Sequence, residues 1–280
     1  MKTIQKTAIS AVAVALLSGL ACSSAFAADT PTNPEDAGSP IAANVTVVSD
    51  YRYRGISQSN FKPAIQGGFD YAHESGFYIG NWNSSISWIS DAASAGGSRN
   101  VSAPIEMDFY AGVKKELIGE GFASDLGVLQ YYYPTSGLPS SATNPNTTEI
   151  YAAQNFTFGP VTGFAKFSYA VTNTFGYANS SGSYYPDLTV NYDTGVWGLA
   201  VNAHVGYQKI AGQNVVAGVP TASYTDWKLG LTKDFGGGLS LAAAYIGTNA
   251  AKSGSTYAYQ SPSGKNLGGS TGIVSLTKTF

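Results

Sequence analysis

The sequence predicts an all-β fold: a transmembrane antiparallel up-and-down β-barrel of about twelve strands, with short periplasmic turns and long extracellular loops. Three observations predict it. Successive segments alternate apolar and polar residues with period two, the mark of strands with two unlike faces. The connections alternate between tight turns and long polar loops. The composition is low in charge (11%) and rich in aromatics (13%), with 19 Tyr, 33 Gly and a mean hydropathy of -0.03. Soluble domains carry about 25% charged residues.

Residues 1–27 have the layout of an export signal. Lys2 and Lys6 precede the apolar stretch Ala8 to Ala21, and Ala25-Phe26-Ala27 is a small-x-small cleavage site that would leave Ala28 first. Gly19-Leu20-Ala21-Cys22 fits a lipid-attachment pattern poorly. Removal of Cys22 with the signal leaves no disulfide framework and no thiolate metal site. The mature chain then carries 13 basic and 17 acidic side chains, a formal charge of -4, and nothing in it suggests a nucleic-acid partner. Beyond the signal no apolar run reaches about 18 residues, so no helical span is expected. Residues 28–43, with Pro, Asn and Asp and no periodicity, predict a flexible periplasmic lead-in to a barrel over 44–280.

Strands are expected near 44–54, 64–73, 77–89, 104–117, 122–133, 147–158, 161–172, 184–193, 196–207, 223–235, 238–249 and 271–280, and no segment has a convincing helical period. The links His73-Glu74-Ser75-Gly76, Ile118-Gly119-Glu120-Gly121, Gly159-Pro160, Asp193-Thr194-Gly195 and Phe235-Gly236-Gly237-Gly238 are short. The stretches 90–103, 134–146, 208–222 and 250–270 are long and rich in Ser, Gly, Asn and Pro. An even strand count puts both termini at the short-turn rim. Phe280 then sits at the membrane interface, where an aromatic ring is well placed. The barrel must close because an open edge in lipid leaves backbone groups without partners.

The apolar set meets lipid and the polar set faces the lumen. Tyr51, Tyr53, Trp82, Trp88, Tyr131, Tyr133, Trp197 and Trp227 are expected in the aromatic girdles. Lumen candidates follow from the strand directions. Asp50, Arg52 and Arg54 fall in the outer half of strand one, and Gln66 and Asp70 on strand two. Asn81, Asn83 and Ser85 line strand three, with Glu106 and Asp108 at the top of strand four. Glu149 and Tyr151 open strand six, Lys166 lies midway in strand seven, and Asp187 starts strand eight. His204 is high in strand nine, and Asp226 and Lys228 lie near the top of strand ten. The acidic excess predicts a mild cation preference in a narrow pore. Opposite charges that pair across strands and brace the wall are the alternative for Arg52 and Arg54.

No enzyme chemistry is expected. The two histidines are His73, in a predicted periplasmic turn, and His204, which has no G-x-S-x-G motif to accompany it. They are far apart in sequence and no cysteine remains, so no metal or other cofactor is implied. Glu106-x-Asp108 points to one face, but no substrate cleft is identified for a carboxylate pair. Gly236-Gly237-Gly238 is a turn with no helix behind it to hold phosphate.

Three segments carry a family resemblance: Ser49-Asp50-Tyr51-Arg52-Tyr53-Arg54-Gly55-Ile56-Ser57-Gln58-Ser59, Pro63-Ala64-Ile65-Gln66-Gly67-Gly68-Phe69-Asp70-Tyr71 and Gly76-Phe77-Tyr78-Ile79-Gly80-Asn81-Trp82. They resemble the TorF-like porins of proteobacteria (Gcw_chp). Asp226-Trp227-Lys228-Leu229-Gly230-Leu231-Thr232-Lys233-Asp234-Phe235-Gly236-Gly237 is similar to that family's late strand and turn. The resemblance implies an outer-membrane barrel and brings no catalytic residues. Lys278 departs from the pattern of many barrel ends, which carry a second apolar residue there. The expected function is a passive or weakly selective channel for small hydrophilic solutes. The expected partners are outer-membrane lipid and lipopolysaccharide, and the barrel-assembly machinery through the strand ending in Phe280. A structural or interaction barrel, with loops 90–103 and 250–270 against a partner, is the first alternative. A soluble periplasmic ligand-binding barrel is the second.

Overall fold

A computed structural model describes residues 40–94, 100–213 and 219–280. The expected signal, and the lead-in as far as residue 39, lie outside them. Twelve strands close into one barrel: β1 (Ile41–Val48), β2 (Ala64–Ala72), β3 (Phe77–Ser85), β4 (Ile105–Gly119), β5 (Phe122–Tyr132), β6 (Thr147–Phe158), β7 (Val161–Ala170), β8 (Tyr184–Asp193), β9 (Leu199–Gln208), β10 (Tyr224–Asp234), β11 (Leu239–Thr248) and β12 (Thr271–Thr279). Each strand pairs antiparallel with its neighbours in sequence, and β12 pairs with β1 to close the sheet. No edge remains, as a bilayer demands.

The even strand count brings both ends of the barrel to one rim. Ala72 N donates to Pro40 O at 2.9 Å and Phe280 N to Ala43 O at 2.9 Å, beside the short turns. Those turns close with glycines in the left-handed region. Gly76 (φ 89) donates to His73 O at 2.9 Å, and a Cβ on Gly238 (φ 78) would lie 2.4 Å from Thr279 O.

Parity separates the two faces. Val45, Val47, Ile65, Ile79, Val113, Val128, Leu188, Val205, Leu229, Leu231 and Val274 point outward and are exposed. The inward positions carry Glu106, Asp108, Glu149, Asn191, Asn202 and Asp226, all buried. An apolar exterior around a polar interior is the pattern of a transmembrane barrel. Apolar packing also continues inside the wall: Val48, Ala64, Tyr78, Trp82, Tyr110, Leu129 and Tyr131 form a buried cluster along β1–β5.

Four expectations are corrected. First, β1 runs from Ile41 to Val48 rather than from 44 to 54, and residues 49–63 turn into the barrel. Second, β3 ends at Ser85, and Trp88–Ser94 is a helix, α1. Ser87 Oγ donates to Asp91 Oδ2 at 2.8 Å across its first turn, so local side-chain bonding overrides the strand expected to continue. Third, Asn81, Asn83 and Ser85 share the outward parity of Phe77 and Ile79, opposite Phe109, Met107 and Ile105 of β4. Asn83 Nδ2 donates to Asn81 Oδ1 at 2.5 Å and Asn81 Nδ2 to Asp108 O at 3.0 Å, so these amides find partners on the outer face. Fourth, six of the eight expected girdle aromatics lie off the lipid face: Tyr51, Trp82, Tyr131 and Tyr133 are buried, and Tyr53 and Trp88 pack against the interior cluster. Trp197 and Trp227 are exposed as expected. The rings at the short-turn rim are Phe77, Phe158, Tyr192, Trp197, Phe235 and Phe280; Tyr132, Tyr169, Tyr207, Trp227 and Tyr245 lie toward the long-loop rim.

Candidate functional site

The inward loop 49–63 builds the site. Arg54 (φ 46) and Gly55 (φ 79) form a two-residue turn with both φ angles positive, and Arg52–Tyr53 pairs with Ile56–Ser57 around it. That is the favoured geometry of a tight hairpin. A Cβ on Gly55 would lie 2.4 Å from Thr248 Cγ2 and 2.9 Å from Asp226 Cβ, so the tip rests against the inner wall of β10 and β11. Only glycine allows that approach.

The hairpin is held from several sides of the lumen. Tyr51 Oη donates to Glu106 Oε1 of β4 at 2.5 Å, and Tyr53 Oη to Tyr131 Oη of β5 at 2.6 Å. Burial, then the charges of Glu106 and Asp108, push the Tyr51 hydroxyl well above its ordinary pKa, so it stays a donor. Arg54 Nη2 donates to Glu149 Oε2 of β6 at 2.8 Å, and Nη1 to Gln208 Oε1 of β9 at 2.5 Å. Its guanidinium lies 4.0 Å from the centroid of the Tyr185 ring of β8. Arg52 binds Asp50 at 2.6 Å and donates to the carbonyls of Gly55, Leu267 and Gly269 at 3.0, 2.8 and 3.1 Å. Both ion pairs are buried, where they fix geometry more than they add stability.

A second cluster lies below the tip. His204 Nδ1 is 3.0 Å from Asp187 Oδ1, and Nε2 is 2.8 Å from Asp226 Oδ2. Each ring nitrogen thus faces a carboxylate, and the imidazole bridges β8 and β10 across the inner wall. Tyr185 Oη also donates to Asp226 Oδ1 at 2.9 Å. Lys166 faces a cavity of about 90 Å³ there, its ammonium 5.7 and 5.6 Å from the Tyr151 and Phe164 rings. Lys228 lines the same cavity.

The structure thus brings Asp50 to Arg52, Arg54 to Glu149, and His204 to Asp187 and Asp226. Asp70 stands apart, accepting from Tyr110 Oη at 2.5 Å, and Gln66 Nε2 donates to Ser84 Oγ at 3.2 Å. Asp108 is buried beside Glu106, with Oδ1 lacking a partner. The bracing of Arg52 and Arg54, weighed against a pore role, is the arrangement found, although the braces run from a loop and not between strands.

Of the tyrosines that sit over glycines inside the barrel, sequence reasoning placed Tyr151 among the lumen residues and passed over Tyr78, Tyr110 and Tyr185. Four lie across glycines of neighbouring strands. A Cβ on Gly80, Gly112, Gly127 or Gly206 would meet the ring or hydroxyl of Tyr110, Tyr78, Tyr151 or Tyr185 at 2.4, 2.4, 2.5 or 2.1 Å. Tyr78 Oη also contacts Tyr151 Oη and donates to Asp125 Oδ1 at 2.6 Å. The readable signal was a Gly and a Tyr at inward parity on adjacent strands.

Above the hairpin, toward the long loops, a cleft of about 330 Å³ is lined by Tyr53, Trp88, Tyr133, Phe175, Tyr177, Tyr224 and Tyr259 with the amides of Gln58, Asn60, Gln208 and Gln260. Among the described residues no group of three or more His, Cys, Asp or Glu side chains is arranged to hold a metal ion.

Fold and interior define a transmembrane β-barrel whose lumen is narrowed by an inward loop. The family model described as "Bacterial protein of unknown function (Gcw_chp)" matches residues 32–280, and the chain belongs to that family. No curated protein matches it. Among solved structures, a NanC porin is 9% identical with a TM-score of 0.52, the match covering 86% of this chain and 98% of that one. A KdgM porin is 8% identical with a TM-score of 0.49, covering 85% and 99%. At such identities the likeness is one of fold.

Proposed function

We propose that the protein is an outer-membrane channel for small hydrophilic solutes, with the loop 49–63 as its constriction. One observation carries this: a closed barrel with an apolar exterior has a polar, charged interior, crossed by a hairpin that ends on Arg54. The resemblance to TorF-like porins points the same way. A twelve-stranded barrel lies between a filled eight-strander and an open sixteen-stranded porin, so side chains and one loop suffice to set its bore. The long loops would face outward and the short turns the periplasm. Lipid and lipopolysaccharide would contact the exposed apolar belt, and the assembly machinery the last strand with Phe280. No catalytic role is assigned.

The mild cation preference expected from Asp50, Glu106, Asp108, Glu149, Asp187 and Asp226 is weakened by their bonding. Five of the six accept hydrogen bonds from side chains in the barrel. The bore would therefore discriminate only slightly by charge.

One observation favours the structural or interaction barrel: the hairpin is clamped to β4, β5, β6 and β9 at once. Conductance in planar bilayers, with liposome swelling on a solute panel, separates the two. Stepwise currents and swelling support the channel, and their absence supports the structural barrel. Recovery in the soluble periplasmic fraction would instead favour the ligand-binding barrel, which the apolar exterior opposes.

A further inference from the structure

We infer that the cleft above the hairpin is a binding site for a neutral saccharide of one or two rings, captured before it reaches the constriction. The inference deepens the channel reading and rests on it for the direction of transit, though not for binding itself. The cleft, of about 330 Å³, is at the lower end of the usual range for ligand pockets.

Its chemistry selects the class. Trp88, Phe175, Tyr177 and Tyr259 supply aromatic surface from three separate stretches of chain. An aromatic face is electron-rich, and a pyranose offers it a face of polarised C–H bonds. Around these rings stand the amides of Asn60 and Gln260, which suit hydroxyl groups. Asn60 Nδ2 is engaged by Asp91 at 3.1 Å and Gln260 Oε1 accepts from Tyr257 N at 3.1 Å, so Asn60 Oδ1 and Gln260 Nε2 are the amide atoms offered to a ligand, while Gln208 is tied to Arg54 and Lys209 O. No lysine, arginine or histidine lines the cleft among the described residues, so an acidic sugar would meet no cation. Its single acid, Asp91, already accepts from Ser87 Oγ at 2.8 Å and Asn60 Nδ2 at 3.1 Å.

One further observation concerns the cleft floor. Phe175 adopts φ 48, a region that costs a bulky residue energy. Thr147 Oγ1 accepts from its backbone N–H at 2.8 Å, and its ring is edge-on to Tyr53 and Tyr131 at 5.4 and 5.1 Å. The strained loop thus presents an aromatic surface to the cleft floor.

The test uses the refolded mature chain with maltose, glucuronate and benzyl alcohol, read by tryptophan fluorescence and by block of the current from the long-loop side. Among the described residues Trp88 is the only tryptophan lining the cleft. Saturable maltose binding is expected, with glucuronate and benzyl alcohol much weaker. Trp88→Leu should remove the fluorescence response and weaken current block about tenfold. Gln260 is exposed, so Gln260→Ala should fold normally and weaken maltose several-fold. No maltose binding, equal binding of glucuronate or benzyl alcohol, or maltose binding unchanged by Gln260→Ala overturns the inference. A wild type that conducts without responding to maltose overturns the inference alone. One that binds maltose by fluorescence but never conducts overturns the channel reading alone.

Discussion

Arg54 does most to determine what occupies the lumen. Its guanidinium reaches Glu149, Gln208 and the Tyr185 ring from a turn that only Gly55 permits. Arg54→Ala strands a buried carboxylate and should cost about 3–5 kcal/mol. Adding Glu149→Gln should restore a large part of that, and urea unfolding of both variants in lipid reads the coupling. Gly206→Ala places a methyl on the Tyr185 hydroxyl and should cost about 1–3 kcal/mol by the same assay. Glu106 and Asp108 are both buried away from solvent, and Glu106 is capped by Tyr51 and by Tyr133 Oη at 2.7 Å. Glu106→Gln/Asp108→Asn should therefore shift the reversal potential little, and a large shift would place them at the bore. At this scale period two put Glu106, Asp108, Glu149 and Asp226 on the inward parity but also Asn81, Asn83 and Ser85, which lie on the outer one, and it said nothing of what the side chains touch. Arg54 and Glu149 lie 95 positions apart, and only the loop's inward course joins them. The pair Arg54-Gly55 between Tyr53 and Ile56 was the available sign of a hairpin turn.

Among the elements, strands were the most legible because lipid on one side and polar lumen on the other enforce period two. Strands β2, β6 and β8 start where their alternation starts. Where the pattern is ambiguous the face inverts. In β3 the bulky rings of Tyr78 and Trp82 point inward and Asn81 and Asn83 outward, because a slip of one residue exchanges the faces. Helix α1 escaped because seven residues hold too few turns for a period to emerge. The parity of β10 gives a direct test. Leu229 is 61% exposed, and Leu229→Arg should cost about 2–4 kcal/mol if near the bilayer midplane, read as folding yield into vesicles. Asn202 of β9 faces inward but is packed, bonding Asn191 at 2.9 Å and Thr232 at 2.7 Å, so Asn202→Ala should cost about 1 kcal/mol.

For the whole molecule, closure, strand number and rim asymmetry were readable because turn lengths and an even count constrain topology. The filling of the lumen was not, since it depends on one loop folding back and on rings fitting over glycines. The central claim is that this loop sets the bore of a channel. Single-channel conductance of the wild type, compared with a variant in which Arg52–Ser57 is replaced by two glycines, tests it most directly. The account predicts small, discrete openings in the wild type and a several-fold larger conductance in the variant, consistent with a bore released from its constriction. Equal conductance in both would contradict the constriction, and silence in both would contradict the channel.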